Sequence, residues 1–158
     1  MARKDITMSP GEVQAFLEAG RTLLVASLQR DGRPHLVPMW YVVEDGKVIF
    51  RSFNRSQKIR NLQRDPRLSV LVETGEAYAE LRGVMIEGLA RLIDDPAYVL
   101  ALYGKLAARY ALAGPEPRAL SPDELEAAFG SHALKNTAVV VEPRRVTSWD
   151  HTKLGGAY

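Results

Sequence analysis

Apolar residues recur at every second position through much of this chain, the period of a half-buried β-strand. The first such block runs from Arg21 to Phe53, "RTLLVASLQRDGRPHLVPMWYVVEDGKVIFRSF". Two glycine turns, "RDG" and "EDG", divide it into three runs, which predicts a meander of three antiparallel strands. "RLSVLVE" reads as a fourth strand. "AYAELRGVMIEGLARLI" is too long to stay flat, and Gly83 and Gly88 are read as bulges that bend it around a barrel. "NTAVVVEPRRVTSW" is a last strand with a break near Pro143.

Helical spacing interrupts the strand pattern. "SPGEVQAFLEAG" is an opening helix with Ser9 as N-cap, Pro10 in its first turn and Glu12 completing a capping box; Gly20 ends it. Ser56 caps a short helix, "QKIRNLQRD", with Ile59 and Leu62 facing inward, and Pro66 stops it. "DPAYVLALYGKLAARYAL" is capped near Asp94 or Asp95, "AGPEPRALSP" is a loop, and "DELEAAFG" is a further short helix. "DHTKLGGAY" is a tail without apolar periodicity. These elements predict a mainly β, α+β chain: a small antiparallel barrel with short helices, a single domain over residues 1–158. A barrel of this size fills its interior with side chains, so a ligand must lie outside it or between subunits.

Composition narrows the classes. The chain has 158 residues, 46% of them hydrophobic and 25% charged, which is enough for a folded core. It has no cysteine, which excludes disulfides and thiolate metal sites and favours a cytoplasmic home. Three scattered histidines, His35, His132 and His151, do not make a zinc site. No apolar run approaches the ~20 residues of a membrane helix. The opening "MARKDITMSPGE" turns polar before a signal-peptide core forms.

Charge adds one local feature. Six Lys or Arg lie between Arg51 and Arg67 against one acid, Asp65, in a chain whose net charge is +2. Three readings stay open. The cluster is a solvated helix face, a nucleic-acid surface, or a phosphate site at the N-terminus of the helix after Ser56. The nucleic-acid reading lacks a basic tail and interleaved aromatics. On the helix Lys58 and Arg60 point about 200° apart, so both reach one anion only over the helix N-terminus.

The stretches "DGRPHLVPMWY", "SQKIRNLQRDPRLSVLV", "RGVMIEGLARLI" and "VTSWDHTKLGG" together resemble the pyridoxamine 5′-phosphate oxidase-like family of flavin and deazaflavin split barrels, especially its F420-dependent branch. The resemblance implies a six-stranded antiparallel split β-barrel that forms a homodimer, with two cofactors in grooves between the subunits. It implies that Ser56, Gln57, Lys58 and Arg60 hold the cofactor phosphate, with Arg51 and Ser52 nearby and Asn61 bracing the turn. His35, Val37, Pro38 and Met39 would lie against the ring. Trp149, His151 and Lys153 would cover the cofactor bound mainly by the other subunit, and Gly155 and Gly156 would allow close backbone approach. His151 has a side chain suited to proton donation, but hydride transfer does not require it.

Two departures bear on the chemistry. Gly83 and Met85 in "RGVMIEG" stand where the oxidase carries glutamine and arginine, and the oxidase's C-terminal Arg and His motif is not recognisable. Pyridoxamine phosphate oxidation is therefore not expected. The resemblance favours F420 as cofactor, with FMN as the alternative, and a reductase acting on a small unsaturated or conjugated substrate. A non-catalytic binder is the other class; no membrane or nucleic-acid partner is expected. Trp40 and Tyr41 read as core or dimer contacts, with a substrate wall as the alternative; the tyrosines Tyr98, Tyr103 and Tyr110 read as helix packing, with one of them at a pocket entrance as the alternative; and Glu87 reads as a partner for an arginine such as Arg91, with a general-acid role as the alternative.

Overall fold

The computed structural model describes residues 5–155. Residues 1–4 of the polar start and Gly156 lie outside them. Helix α1 (Pro10–Ala19) has the expected capping box: the Ser9 hydroxyl accepts from the Glu12 N–H, and the Glu12 carboxylate accepts from the Ser9 N–H at 2.6 Å.

The strands are β1 (Leu23–Leu28), β2 (Pro34–Met39), β3 (Val42–Glu44), β4 (Lys47–Phe53), β5 (Arg67–Thr74), β6 (Arg82–Ile93) and β7 (Asn136–Asp150). They form one antiparallel sheet in the order β2-β1-β5-β6-β7-β4-β3. The expected six strands are thus seven, and the expected meander is two hairpins. The run after the first turn breaks at Trp40 and Tyr41. Its first half pairs with β1 and its second half with β4. Strands β2 and β3 are neighbours in sequence yet lie at opposite edges of the sheet. The sheet must therefore curl until its edges meet, leaving a split between β2 and the later half of β4.

The break is held from both sides. The Tyr41 side chain is fully buried, and its hydroxyl donates to the Leu17 carbonyl at 2.6 Å. The Tyr110 hydroxyl accepts from the Tyr41 N–H at 3.3 Å and donates to the Tyr41 carbonyl at 3.0 Å. Burial pushes the Tyr41 phenol up to about 12. The β3–β4 turn is the expected two-residue hairpin, with Asp45 and Gly46 both at positive φ, 48° and 73°.

Curvature also comes from β6 and β7. Their register shifts at Glu87 and Gly88: Gly88 faces Pro143 and Glu87 faces Arg145, which leaves Arg144 as the extra residue. A Cβ on Gly88 would stand 2.4 Å from the Glu142 carbonyl oxygen. Gly83 is not at a bulge; the Trp149 indole lies against it. Glu87 does not pair with Arg91. Four residues apart on one strand is roughly 13 Å, and each finds a partner on β7: Arg145 at 3.7 Å from Glu87, Glu142 at 3.1 Å from Arg91.

Two cores result. One fills the barrel, with Val25, Phe50, Val70, Val84 and Val141. The other lies between the outer face of β4 and β7 and the helices α3 (Pro96–Arg109) and α4 (Pro122–Ala133), with Ile49, Val140, Leu102, Leu106 and Phe129. Helix α2 (Gln57–Arg64) closes one end of the barrel by burying Ile59 and Leu62. Each contributes roughly 1.5–3 kcal/mol. Helix α1 closes the other end. The tail is ordered through Leu154 as a 3₁₀ turn capped by Asp150. Among the described residues no helix is long and apolar enough to cross a membrane.

Candidate functional site

Residues on a strand alternate between faces, so Arg51 and Ser52 part company. Ser52 points into the barrel end closed by α2. Its hydroxyl lies 3.0 Å from the Ser56 hydroxyl and accepts from Lys58 Nζ at 3.1 Å. Ser56 is the N-cap of α2, in extended conformation, with its side chain turned toward the Ile59 N–H. The first turn of α2 therefore presents N–H groups and a cation at the same place.

Lys58 forms no ion pair with any described residue, and burial lowers its pKa. A half-buried ammonium with only a hydroxyl partner is a costly arrangement unless an anion completes it. Second residues lock this end. Gln57 donates to Asn61 Oδ1 at 2.8 Å, and the fully buried Asn61 donates to Ser27 Oγ at 3.0 Å. His35 stands opposite Ser27 across the β1–β2 ladder, so it shares this face. Its Nδ1 is shielded from solvent and has no hydrogen-bond partner. The donor set of Lys58, Ser52, Ser56 and the helix N-terminus, with an orphaned imidazole nitrogen at the same end, fits a phosphate ester.

The rest of the basic cluster separates. Arg60 is exposed on the far side of α2. Arg64 donates to the Leu28 carbonyl, and Arg67 pairs with Asp65 at 2.6 Å, which holds the Asp65 carboxyl at about 2. Those two are fold contacts.

Arg51 points to the outer side of β4. Its guanidinium stacks over the Tyr103 ring at 4.0 Å, and Nη1 donates to Asn136 Oδ1 at 3.1 Å. It faces a cleft of about 350 Å³ lined by Thr22, Pro38, Met39, Trp40, Arg51 and Leu106. Pro38 and Met39, expected beside a ring, therefore share a cavity with Arg51. Val37 and Met39 turn their side chains toward the barrel core. Trp40 is 44% exposed and stacked on Tyr110, with centroids 4.6 Å apart and 8° between planes. Tyr41 is core, and Trp40 is a wall of the cleft. Thr22, Leu106 and Asn136 were not legible as site residues, whereas Tyr103 was one of three tyrosines considered for a pocket entrance; the two-residue alternation of β4 was the available signal that Arg51 leaves the Ser52 side.

Trp149 and Lys153 lie at the α1 end, away from α2. Trp149 covers Gly83, and Lys153 donates to the Thr7 carbonyl at 2.7 Å and pairs with Glu12 at 2.9 Å. Within one chain they do not meet the other site residues. His151 is likewise engaged, its Nδ1 2.7 Å from the Tyr78 carbonyl.

A model of the family described as pyridoxamine 5′-phosphate oxidase matches residues 9–150. The chain belongs to that family. A conserved hypothetical protein, Rv2991 from Mycobacterium tuberculosis, is 38% identical over all of this chain and 94% of its own, with a TM-score of 0.86. An F420 reductase is 25% identical over 85% of this chain and 94% of its own, TM-score 0.63. A FAD-binding protein from Mesorhizobium loti, 20% identical over 90% and 94%, TM-score 0.60, shares the fold. No functionally curated protein matches the chain. Proteins described as an F420 reductase and as FAD-binding thus share this fold.

Proposed function

We propose that the protein is an F420-dependent oxidoreductase of this family. It would transfer hydride between bound deazaflavin and a small unsaturated or conjugated organic molecule. The observation that carries the reading is Lys58: a half-buried cation with no counter-charge, joined to Ser52 and Ser56 at the start of α2 beside the split in the barrel. The F420 reductase similarity supports the choice of cofactor. F420 supplies hydride transfer with little reaction toward oxygen.

The chain's own residues have binding roles. Lys58, Ser52 and Ser56 hold the phosphate, with Gln57 and Asn61 bracing them and His35 beside them. The β2 segment Val37–Met39 lies along the ring. The reading assigns no proton donor. FMN is the second reading, because this anion site recognises a phosphate ester that both cofactors carry.

A homodimer belongs to the proposal. Pro38, Leu24, Leu71 and Met85 face one another in a row across β2, β1, β5 and β6, and Leu36 on the same outer face is 62% exposed. A second copy covering that row would bring its own Trp149 and Lys153 toward the cofactor groove. A cytoplasmic location rests on the absence of cysteine alone.

The test is titration of the purified protein with F420 and with FMN, followed by turnover of reduced F420 with a quinone. Tight F420 binding and turnover are expected. Lys58→Ala should weaken cofactor binding about 10- to 100-fold, the range for a charged hydrogen bond. Unchanged affinity in that variant would refute the phosphate assignment, and a yellow protein that binds FMN only would select the second reading.

A further inference from the structure

The cleft beside Arg51 holds a charge that the phosphate site does not use. Arg51 is on the opposite face of β4 from Ser52 and Lys58, so one phosphate bound at α2 does not neutralise it. No carboxylate pairs with it among the described residues. Its two neighbours, Tyr103 and Asn136, are neutral, and its Nε is shielded from solvent without a partner. Burial lowers its pKa, which records the cost of keeping this charge away from water.

The surroundings are those of a small-molecule site. Pro38, Met39, Trp40 and Leu106 give apolar walls, and the volume of about 350 Å³ lies in the range of ligand pockets. The wall is rigid: Trp40 is stacked on Tyr110, whose hydroxyl is bonded to the Tyr41 backbone. Among the described residues that line the cleft, Arg51 is the one cation. One guanidinium matches a monoanion, and its planar fork matches a carboxylate.

We propose that this cleft binds a small apolar molecule carrying a carboxylate, with Arg51 as the residue that takes the anion. On the reading above, that molecule is the substrate, and the site makes an anionic compound the preferred one. Carboxylate binding itself needs no cofactor, so it is tested on the unloaded chain.

The probe is 4-nitrobenzoate, which quenches tryptophan fluorescence when bound near Trp40, compared with the neutral 4-nitrobenzamide. Saturable quenching by the acid is expected, with the amide about 10- to 100-fold weaker. Arg51→Gln should lose the preference for the acid, Arg51→Lys should regain part of it, and Lys58→Ala should leave it unchanged. Equal binding of acid and amide to the wild type overturns the proposal, and this comparison does not depend on any variant folding. No saturable binding, acid binding that survives Arg51→Gln, or acid binding lost in Lys58→Ala also overturns it. Absence of F420 turnover with intact acid binding would reject the proposed function and leave this site standing.

Discussion

Tyr110→Phe removes one oxygen atom at the point that lets a single run of sequence serve both edges of the sheet. The Tyr110 hydroxyl accepts from the Tyr41 N–H at 3.3 Å and from Arg109 Nε at 3.1 Å, and donates to the Tyr41 carbonyl at 3.0 Å. Tyr110 is only 2% exposed and Tyr41 is fully buried, so water is poorly placed to replace it. Two backbone groups lose their partner, at about 1–3 kcal/mol for a buried unsatisfied group. Arg109 keeps its bond to the Gly20 carbonyl, and the Trp40 stack is unaffected by the loss of the hydroxyl. The expected cost is about 2–4 kcal/mol, a large fraction of a typical total of about 5–15 kcal/mol. At about 2–4 °C per kcal/mol for a chain of this size, Tm should fall by roughly 5–15 °C. Urea denaturation followed by circular dichroism measures the free energy, with Tyr103→Phe as the control. Tyr103 is also 2% exposed and ring-stacked, on Phe129, but its hydroxyl makes no hydrogen bond with any described residue. That variant should change stability by no more than about 0.5 kcal/mol. If the two variants cost the same, the hydroxyl does not hold the strand break and the explanation of the seventh strand fails.

Other expectations follow from single contacts. Gly83→Ala would put a Cβ 2.2 Å from the Trp149 ring, so the indole must move; a loss of about 1–3 kcal/mol and a shifted tryptophan emission are expected, and neither appearing would show that the indole is loosely held. Glu12 is held at about 2, chiefly by the Lys153 ammonium and then by the Ser9 N–H; Glu124 is held at about 2, chiefly by Arg118 and then by the Ser121 N–H. Both pKa values are depressed, so their stabilising effect is present above the ordinary value of 4.5 and is lost as pH falls toward about 2. Melting curves across that window should drop less steeply for the Glu12→Gln, Glu124→Gln double variant, and identical slopes would contradict the assignment.

Local chemistry determined much of the architecture. Ser9 with Glu12, Ser56, and Ser121 with Glu124 cap the starts of α1, α2 and α4, because a side-chain oxygen meets a free N–H within three residues. The Asp45–Gly46 turn is equally local, since both residues take positive φ, whereas the bulge at Gly88 is set by the close approach of the Glu142 carbonyl on β7. The proposed phosphate end was legible for the same reason: Ser52, Ser56 and Lys58 lie within seven residues of chain. What only the tertiary structure decided depends on closure of the sheet. Curling sends β2 and β3 to opposite edges, so one run became two strands, and the Tyr110 that stabilises this lies far along the chain. The same closure gave Arg51 a place apart from Ser52. Alternation says that two adjacent strand residues point to opposite faces; it does not say that α3 will cover one of those faces with Tyr103 and Leu106 and make a cleft there. Contacts between residues distant in sequence depend on how the whole sheet bends, and no short stretch of residues encodes that bend.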